Sequence, residues 1–163
     1  MHPPPTPIEL RPLPRAAAGE LLTLQRAAYV TEAQLYDDPR LPALTQSLDE
    51  LVAELASSTC TAAYAGDRLV GAMRVHEIDE MLHIGRLTVV PDLQGQGIGS
   101  RLLAAAEAGT ELPAATLFTG HLSVANLRLY QRHGYAETSR EVVHAGLHLV
   151  HLTKTLAGAP RRR

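Results

Sequence analysis

The stretch RLTVVPDLQGQGIGSRLL, Arg86 to Leu103, decides how this chain is read. It opens on the β-rich run Leu87-Thr88-Val89-Val90, turns at Pro91 and Asp92, passes through Gln94-Gly95-Gln96-Gly97-Ile98-Gly99-Ser100 and continues with apolar residues at helical spacing. A strand ends, a glycine-rich loop follows, and a helix opens. N–H groups at such a helix start have no helical acceptor, and with the helix dipole they form a site for a phosphate or pyrophosphate. Glycine lets the main chain come close to the anion because no side chain stands in the way.

Spacing separates the kinds of phosphate loop. A P-loop needs Lys and then Ser or Thr after its last glycine, and no Lys follows Gly99. The dinucleotide fingerprint needs a third glycine where Ser100 stands, counting from Gly95 and Gly97. Both patterns fail. What remains is Q-x-x-G-x-G across Gln94, Gly97 and Gly99, directly after Leu87, Thr88 and Val89.

Outward from this loop, strand and helix periods alternate, with no internal repeat. Ile8 to Leu13 suggests a short first strand, Ala17 to Leu35 a helix stopped at Asp37-Asp38-Pro39, and Ser47 with Glu50 a capping box that starts a second helix. Thr59–Ala65 and Arg68–Ile78 form a predicted hairpin around Gly66 and Asp67, and Met81–Val90 a further strand after Asp79 and Glu80. A helix from Gly97 to Ala108, a strand from Ala115 to Leu122, a helix from Ser123 to His133 capped by Gly134, and strands at Tyr135–Val143 and Leu147–Leu156 complete the chain. This order defines a mixed α/β domain with a parallel crossover at its middle.

Two segments carry a family resemblance. Residues 86–103 resemble motif A of the GNAT (GCN5-related) N-acetyltransferases, and NLRLYQRHGY at Asn126–Tyr135 resembles their motif B. The resemblance implies a GNAT fold: a single mixed sheet, splayed at its central parallel strands, flanked by about four helices, with acetyl-CoA lying in the gap as co-substrate. It implies that the main chain of Leu87, Thr88 and Val89 pairs with the pantetheine arm. The N–H groups of Gln94, Gly95, Gln96, Gly97, Ile98, Gly99 and Ser100 would hold the pyrophosphate, and that of Val89 would be the oxyanion donor. Gln94 stands where the family more often has Arg.

Acetyl transfer to a primary amine needs a neutral amine, a polarised thioester carbonyl and a proton for the departing thiolate. Tyr130 matches the tyrosine that protonates the sulfur in many family members, and it lies one helical turn beyond Asn126 on the same face. The plain alternative is a packed core tyrosine. Asn126 is expected to bond the cofactor arm or nearby backbone, with helix capping as the alternative. Two histidines stand as candidate bases. His83 occupies the strand position where the histone-modifying branch carries Glu, and His121 lies at the end of the neighbouring strand; either could accept the proton directly or through water, with water itself as a further candidate, or be structural. Glu32, Tyr36, Asp37 and Asp38 fall where the family builds one wall of its acceptor site, or form a polar loop. Glu77, Asp79 and Glu80 read as a solvated turn or an acidic rim.

The bulk properties set the remaining expectations. With 163 residues, 45% of them apolar, and a net charge of −2, one domain over 1–163 is expected, with short flexible termini at about 1–6 and 158–163. Cys60 is the only cysteine, expected to be buried and structural in a cytoplasmic protein. The start of the chain lacks a signal-peptide pattern, and no apolar run suits a membrane span. The charge balance gives no footprint for nucleic acid. His144, His148 and His151 lack a ligand spacing, so no metal is expected. The last strand pair offers edges for a homodimer without requiring one. From another class, an acyl-CoA binding or sensing module with the same fold and little or no turnover is the alternative reading.

Overall fold

The structure is a computed structural model and describes residues 1–156. β1 (Ile8–Pro12) leads into α1 (Ala18–Tyr36), a one-turn α2 (Pro42–Thr45) and α3 (Leu48–Ala56), after which β2 (Thr59–Ala65), β3 (Arg68–Ile78) and β4 (Met81–Val89) form a meander. α4 (Ile98–Ala108) crosses to β5 (Ala114–Gly120), and α5 (Val124–Arg132) precedes β6 (Ala136–His144) and β7 (Leu147–Thr155). The seven strands make one sheet in the order β1-β2-β3-β4-β5-β7-β6. Only β4 and β5 are parallel neighbours; the other pairs are antiparallel. The expected tail at 158–163 lies outside the described residues.

Local chemistry explains the element starts and stops. Glu50 N–H bonds Ser47 Oγ at 3.1 Å and Ser47 N–H bonds Glu50 Oε1 at 3.1 Å, the reciprocal capping box expected from sequence. Gly134, with φ of +89°, ends α5 in the left-handed conformation. The addition to the four expected helices is α2. Its single turn carries no readable period, and an isolated turn of this length is unstable in water.

A buried polar network holds that turn in place. Arg74 of β3 donates through Nε to Glu54 Oε1 of α3 at 2.9 Å and through Nη2 to Gln25 Oε1 of α1 at 3.0 Å. Gln25 Nε2 in turn donates to the Ala43 carbonyl of α2 at 2.8 Å. One strand residue thereby links three helices on one face of the sheet. Burial pulls the Arg74 guanidinium below its ordinary pKa, and the Glu54 carboxylate opposes that shift.

Apolar packing covers both faces. On the α1 face, Leu21, Leu22 and Leu24 with Leu51 of α3 pack on Ala62, Tyr64, Leu69 and Ala72. On the other, Ile98, Leu102, Leu103 and Ala106 of α4 pack on Val70, Met73, Leu82 and Ile84. α4 sits close because Gly71 has no side chain; a Cβ there would stand 3.1 Å from Ile98 Cγ2. This seats the start of α4 beside the end of β4.

Two irregularities of β4 shape the site. Its pairing with β5 covers only Met81–His83 against Ala114–Thr116, after which the strands part. Opposite β3, Thr88 pairs with Ala72 and Gly85 with Arg74, so Arg86 and Leu87 together face Met73 in a β-bulge. Arg86 adopts φ of +50° there, in the left-handed region that a bulge usually reserves for glycine.

Candidate active site

Where β4 and β5 part, a cleft of about 700 Å³ opens. β4 from Ile84 to Val89 and the glycine loop line one side, Phe118 to Gly120 of β5 with Asn126, Leu129 and Tyr130 of α5 line another, and Tyr29, Glu32 and Tyr36 of α1 complete it. Past His83 neither strand has its parallel neighbour, so main-chain groups along both facing edges are left for a ligand.

The loop is built open. Gly95 and Gly97 have φ of +77° and +85°, and a Cβ on either would meet nothing within 4 Å. They supply conformation and approach rather than room for protein atoms. Gln94 Nε2 donates to the Val89 carbonyl at 3.1 Å and pins the loop to the strand end. Of the residues expected to hold the cofactor, Leu87, Thr88, Val89, Gln94, Gly95, Gly97, Ile98, Gly99, Ser100, Asn126 and Tyr130 line the cleft, and Gln96 does not. Ile98 is buried in the core and the Thr88 hydroxyl bonds the Ala72 carbonyl, which leaves the main chain as what these two offer. An unpaired strand edge leading into a loop of free N–H groups fits an elongated ligand carrying a pyrophosphate.

Tyr130 is buried, yet its ring borders the cleft and its hydroxyl has no protein hydrogen-bond partner among the described residues. Desolvation by burial pushes the phenol well above its ordinary value, and the neighbouring Tyr29, Glu32 and Tyr135 add to the shift. It is a protonated donor at neutral pH. Asn126 Nδ2 donates to Thr119 Oγ1 at 3.2 Å, which ties α5 to β5 and leaves its amide oxygen free.

A hydroxyl chain runs along the α1 side. Leu122 N–H donates to Tyr36 Oη at 3.0 Å, and Ser123 Oγ donates to Glu32 Oε2 at 2.6 Å. Tyr36 and Ser123 hydroxyls are 2.6 Å apart. Since the serine proton goes to the carboxylate, the phenol must donate to the serine. Burial raises the Tyr36 pKa and keeps that proton in place. Glu32 and Tyr36 therefore line the cleft as the sequence suggested, whereas Asp37 caps α1 and Asp38 bonds His144 Nε2 at 3.0 Å outside it.

Neither candidate base lines the cleft. His83 sits in the last paired position of β4, between His76 and Thr116. His121 accepts the His148 N–H at Nδ1, 2.9 Å away, so its free lone pair is already engaged and it serves to close the β5–β7 ladder. Asp79 and Glu80 form the β3–β4 turn with φ of +51° and +60°, at the end of β4 remote from the glycine loop. His144, His148 and His151 are dispersed among Asp38, His121 and Glu141. Among the described residues no cluster of His, Cys, Asp and Glu could hold a metal ion. Cys60 of β2 is half-buried, away from the cleft, and burial raises its thiol pKa.

Arg86 received no role from the sequence although it heads the deciding stretch. A bulge cannot be seen in a run of strand-forming residues, so its orientation was not legible. Its half-buried side chain borders the cleft, its guanidinium carbon lies 5.9 Å from the Tyr29 ring, and its Nε is buried without a hydrogen-bond partner. No carboxylate of the described residues forms an ion pair with it. An orphaned buried donor costs about 1–3 kcal/mol, more when charged. Burial raises the Tyr29 pKa, with Arg86 as the main opposing influence.

The fold agrees with the comparisons. A family model described as an acetyltransferase (GNAT) domain matches residues 36–156, well over half the chain. The chain belongs to the GNAT acetyltransferase family. Among solved structures it resembles the ribosomal-protein-S18-alanine N-acetyltransferase of Escherichia coli, with TM-score 0.79 and 13% identity, covering 96% of this chain and 99% of that one. The PaiA N-acetyltransferase of Thermoplasma acidophilum, solved with coenzyme A, has TM-score 0.73 and 19% identity over 89% of this chain and 98% of its own. YncA of Salmonella typhimurium, solved with its cofactor acetyl-CoA, has TM-score 0.73 and 16% identity over 95% and 99%. At these identities the likeness is one of fold. No curated protein sequence matches the chain.

Proposed function

We propose that this protein transfers an acetyl group from acetyl-CoA to a primary amine by direct attack in a ternary complex. The observation that carries this reading is one cleft that combines the free strand edge at Leu87–Val89, the open loop at Gln94–Ser100 and the unpartnered hydroxyl of Tyr130. The structural neighbours solved with coenzyme A and acetyl-CoA support it. When bound, acetyl-CoA supplies the acetyl group as an activated thioester. The β4 edge holds the pantetheine arm, the loop N–H groups hold the pyrophosphate, and the Val89 N–H polarises the acyl carbonyl. Tyr130 Oη holds the proton that the sulfur needs on departure.

His83 and His121 do not line the cleft, so the proton-accepting role is assigned to Glu32. Its Oε2 is held by Ser123, while Oε1 has no protein partner among the described residues. A carboxylate is a poor base for a free alkylammonium, but the nitrogen becomes strongly acidic as its bond to the acyl carbon forms, and a carboxylate then suffices. With Cys60 outside the cleft, no thiol is available there for a covalent route. Calorimetric titration with acetyl-CoA, followed by an amine screen that detects released thiol, tests the reading. Binding with thiol release supports it; binding without release from any amine leaves a binding module. Trapping an acetylated side chain in the absence of acceptor overturns direct transfer.

A further inference from the structure

We infer that Arg86 is the anchor for a carboxylate on the acceptor, so that the amine acetylated belongs to an α-amino acid or a close zwitterionic relative. This deepens the transferase reading and rests on it. The first observation is conformational. Arg86 occupies the left-handed position of the β4 bulge at φ of +50°, where a glycine would be unstrained, so a charged side chain is aimed off the strand at a backbone cost. Its neighbours are the second observation. Its guanidinium carbon lies 5.9 Å from the ring of Tyr29 on α1, which places the charge on the α1 side of the cleft.

On that face the cation has not been neutralised. Arg74 spends its donors on Glu54 and Gln25, whereas Arg86 keeps an unpartnered buried Nε and has no carboxylate in ion-pair range among the described residues. A carboxylate meeting the guanidinium side-on, once the side chain turns its buried Nε toward the cleft, would satisfy Nε and one terminal nitrogen together. Tyr29, whose ring lies 5.9 Å from the guanidinium carbon, turns its hydroxyl oxygen to Arg86 and keeps its own proton. Three residues along α1, on the same helix face, Glu32 presents the negative pole. A ligand with a carboxylate at Arg86 and an ammonium at Glu32 matches both. In the transfer the nitrogen bonds the acyl carbon and the carbon–sulfur bond breaks. The bound ammonium first gives one proton to water, which frees the lone pair that attacks; after the bond forms, the nitrogen's second surplus proton passes to Glu32, and the sulfur takes one from Tyr130.

The test compares the common α-amino acids with their α-amides, first by calorimetry on protein saturated with coenzyme A and then by thiol release, in wild type, R86Q and R86K. The acids should bind wild type about tenfold or more tighter than the matching amides, as expected for a charge-assisted hydrogen-bond pair. R86Q should erase that difference by raising KM for acids alone, and R86K should restore part of it. Amides that bind as well as acids, equal losses for both in R86Q, or no binding of any acid to wild type each overturns the inference. Failure of the transferase reading shows separately, as absence of acetyl-CoA binding or of thiol release from every amine.

Discussion

A Cβ placed on Gly120 would stand 2.0 Å from the hydroxyl of Tyr36, so the last residue of β5 must be glycine for the tyrosine of α1 to reach Ser123. The contact is steric, but its consequence is chemical, because the Tyr36 hydroxyl holds Ser123 and Ser123 holds Glu32. Gly120→Ala should displace the Tyr36 ring and cost about 1–3 kcal/mol in stability by overpacking. Acetyl-transfer rate should fall further than Ser123→Ala alone lowers it. A denaturant midpoint and a thiol-release assay on both variants measure this; a Gly120→Ala protein with unchanged midpoint would show that the ring relaxes at no cost.

Tyr130→Phe removes one oxygen from a buried ring that otherwise packs in the core. Turnover should fall by about 100-fold, within the range for loss of a general acid, while acetyl-CoA affinity stays within a few fold. The pH dependence has a definite sign. Burial raises this phenol, so it remains a competent donor above the pH at which an ordinary tyrosine ionises, and the alkaline limb of kcat set by Tyr130 should lie above about 10. A limb at or below 10 that persists in Tyr130→Phe belongs to another group.

The same burial makes a stability prediction. Tyr29, Tyr36, Tyr130 and Tyr135 all have folded-state values raised first by desolvation. With raised folded values, the unfolded chain loses phenolic protons first. Their contribution is complete below about pH 10 and is lost as pH climbs from there through the folded values. Urea midpoints should therefore drop steeply only beyond about pH 10, with the phenolate absorbance change coinciding with unfolding. Phenolate absorbance that develops while the protein remains folded would contradict this.

How much was legible follows from what kind of signal each residue carried. The capping box at Ser47 and Glu50, the hairpin around Gly66 and the crossover through α4 rest on local chemistry and period, which sequence displays directly. The loop from Gln94 to Ser100 was legible for the same reason. The α1 side of the cleft was half-legible: Glu32 and Tyr36 line the cleft, but the link to Ser123 joins residues 91 positions apart. Arg86 was hidden because a bulge changes which way a strand residue points without changing composition. His83 stands at the strand position where the histone-modifying branch carries Glu. It pairs with His76 and Thr116 before the splay begins, and spacing along one strand does not reveal where its neighbour departs.

Gly97 tests the cradle with little disturbance to packing. Its φ of +85° makes any side chain strained there, at roughly 1–2 kcal/mol, but the space where a Cβ would project is open. Gly97→Val should therefore fold, with a modestly lowered midpoint, and block the approach of a pyrophosphate to the loop. Acetyl-CoA binding by calorimetry should weaken by about 100-fold or more, as for loss of several charge-assisted hydrogen bonds. Unchanged affinity in a folded variant would move the anion site away from the loop.

Glu54 separates stability from chemistry. It pairs with the buried Arg74 at 2.9 Å and lies outside the cleft, so its removal leaves a guanidinium in the α1 face with only Gln25 as partner. The carboxylate is 27% exposed, which lets water soften the loss below that of a fully buried pair. Glu54→Ala should cost about 2–3 kcal/mol. The double variant Glu54→Ala with Arg74→Met should recover much of that, since it replaces the stranded charge by an apolar chain of similar length. Acetyl-CoA affinity should stay within a few fold in both, because neither residue reaches the glycine loop. A double variant less stable than Glu54→Ala would show that Arg74 holds α1 through Gln25 even without its carboxylate.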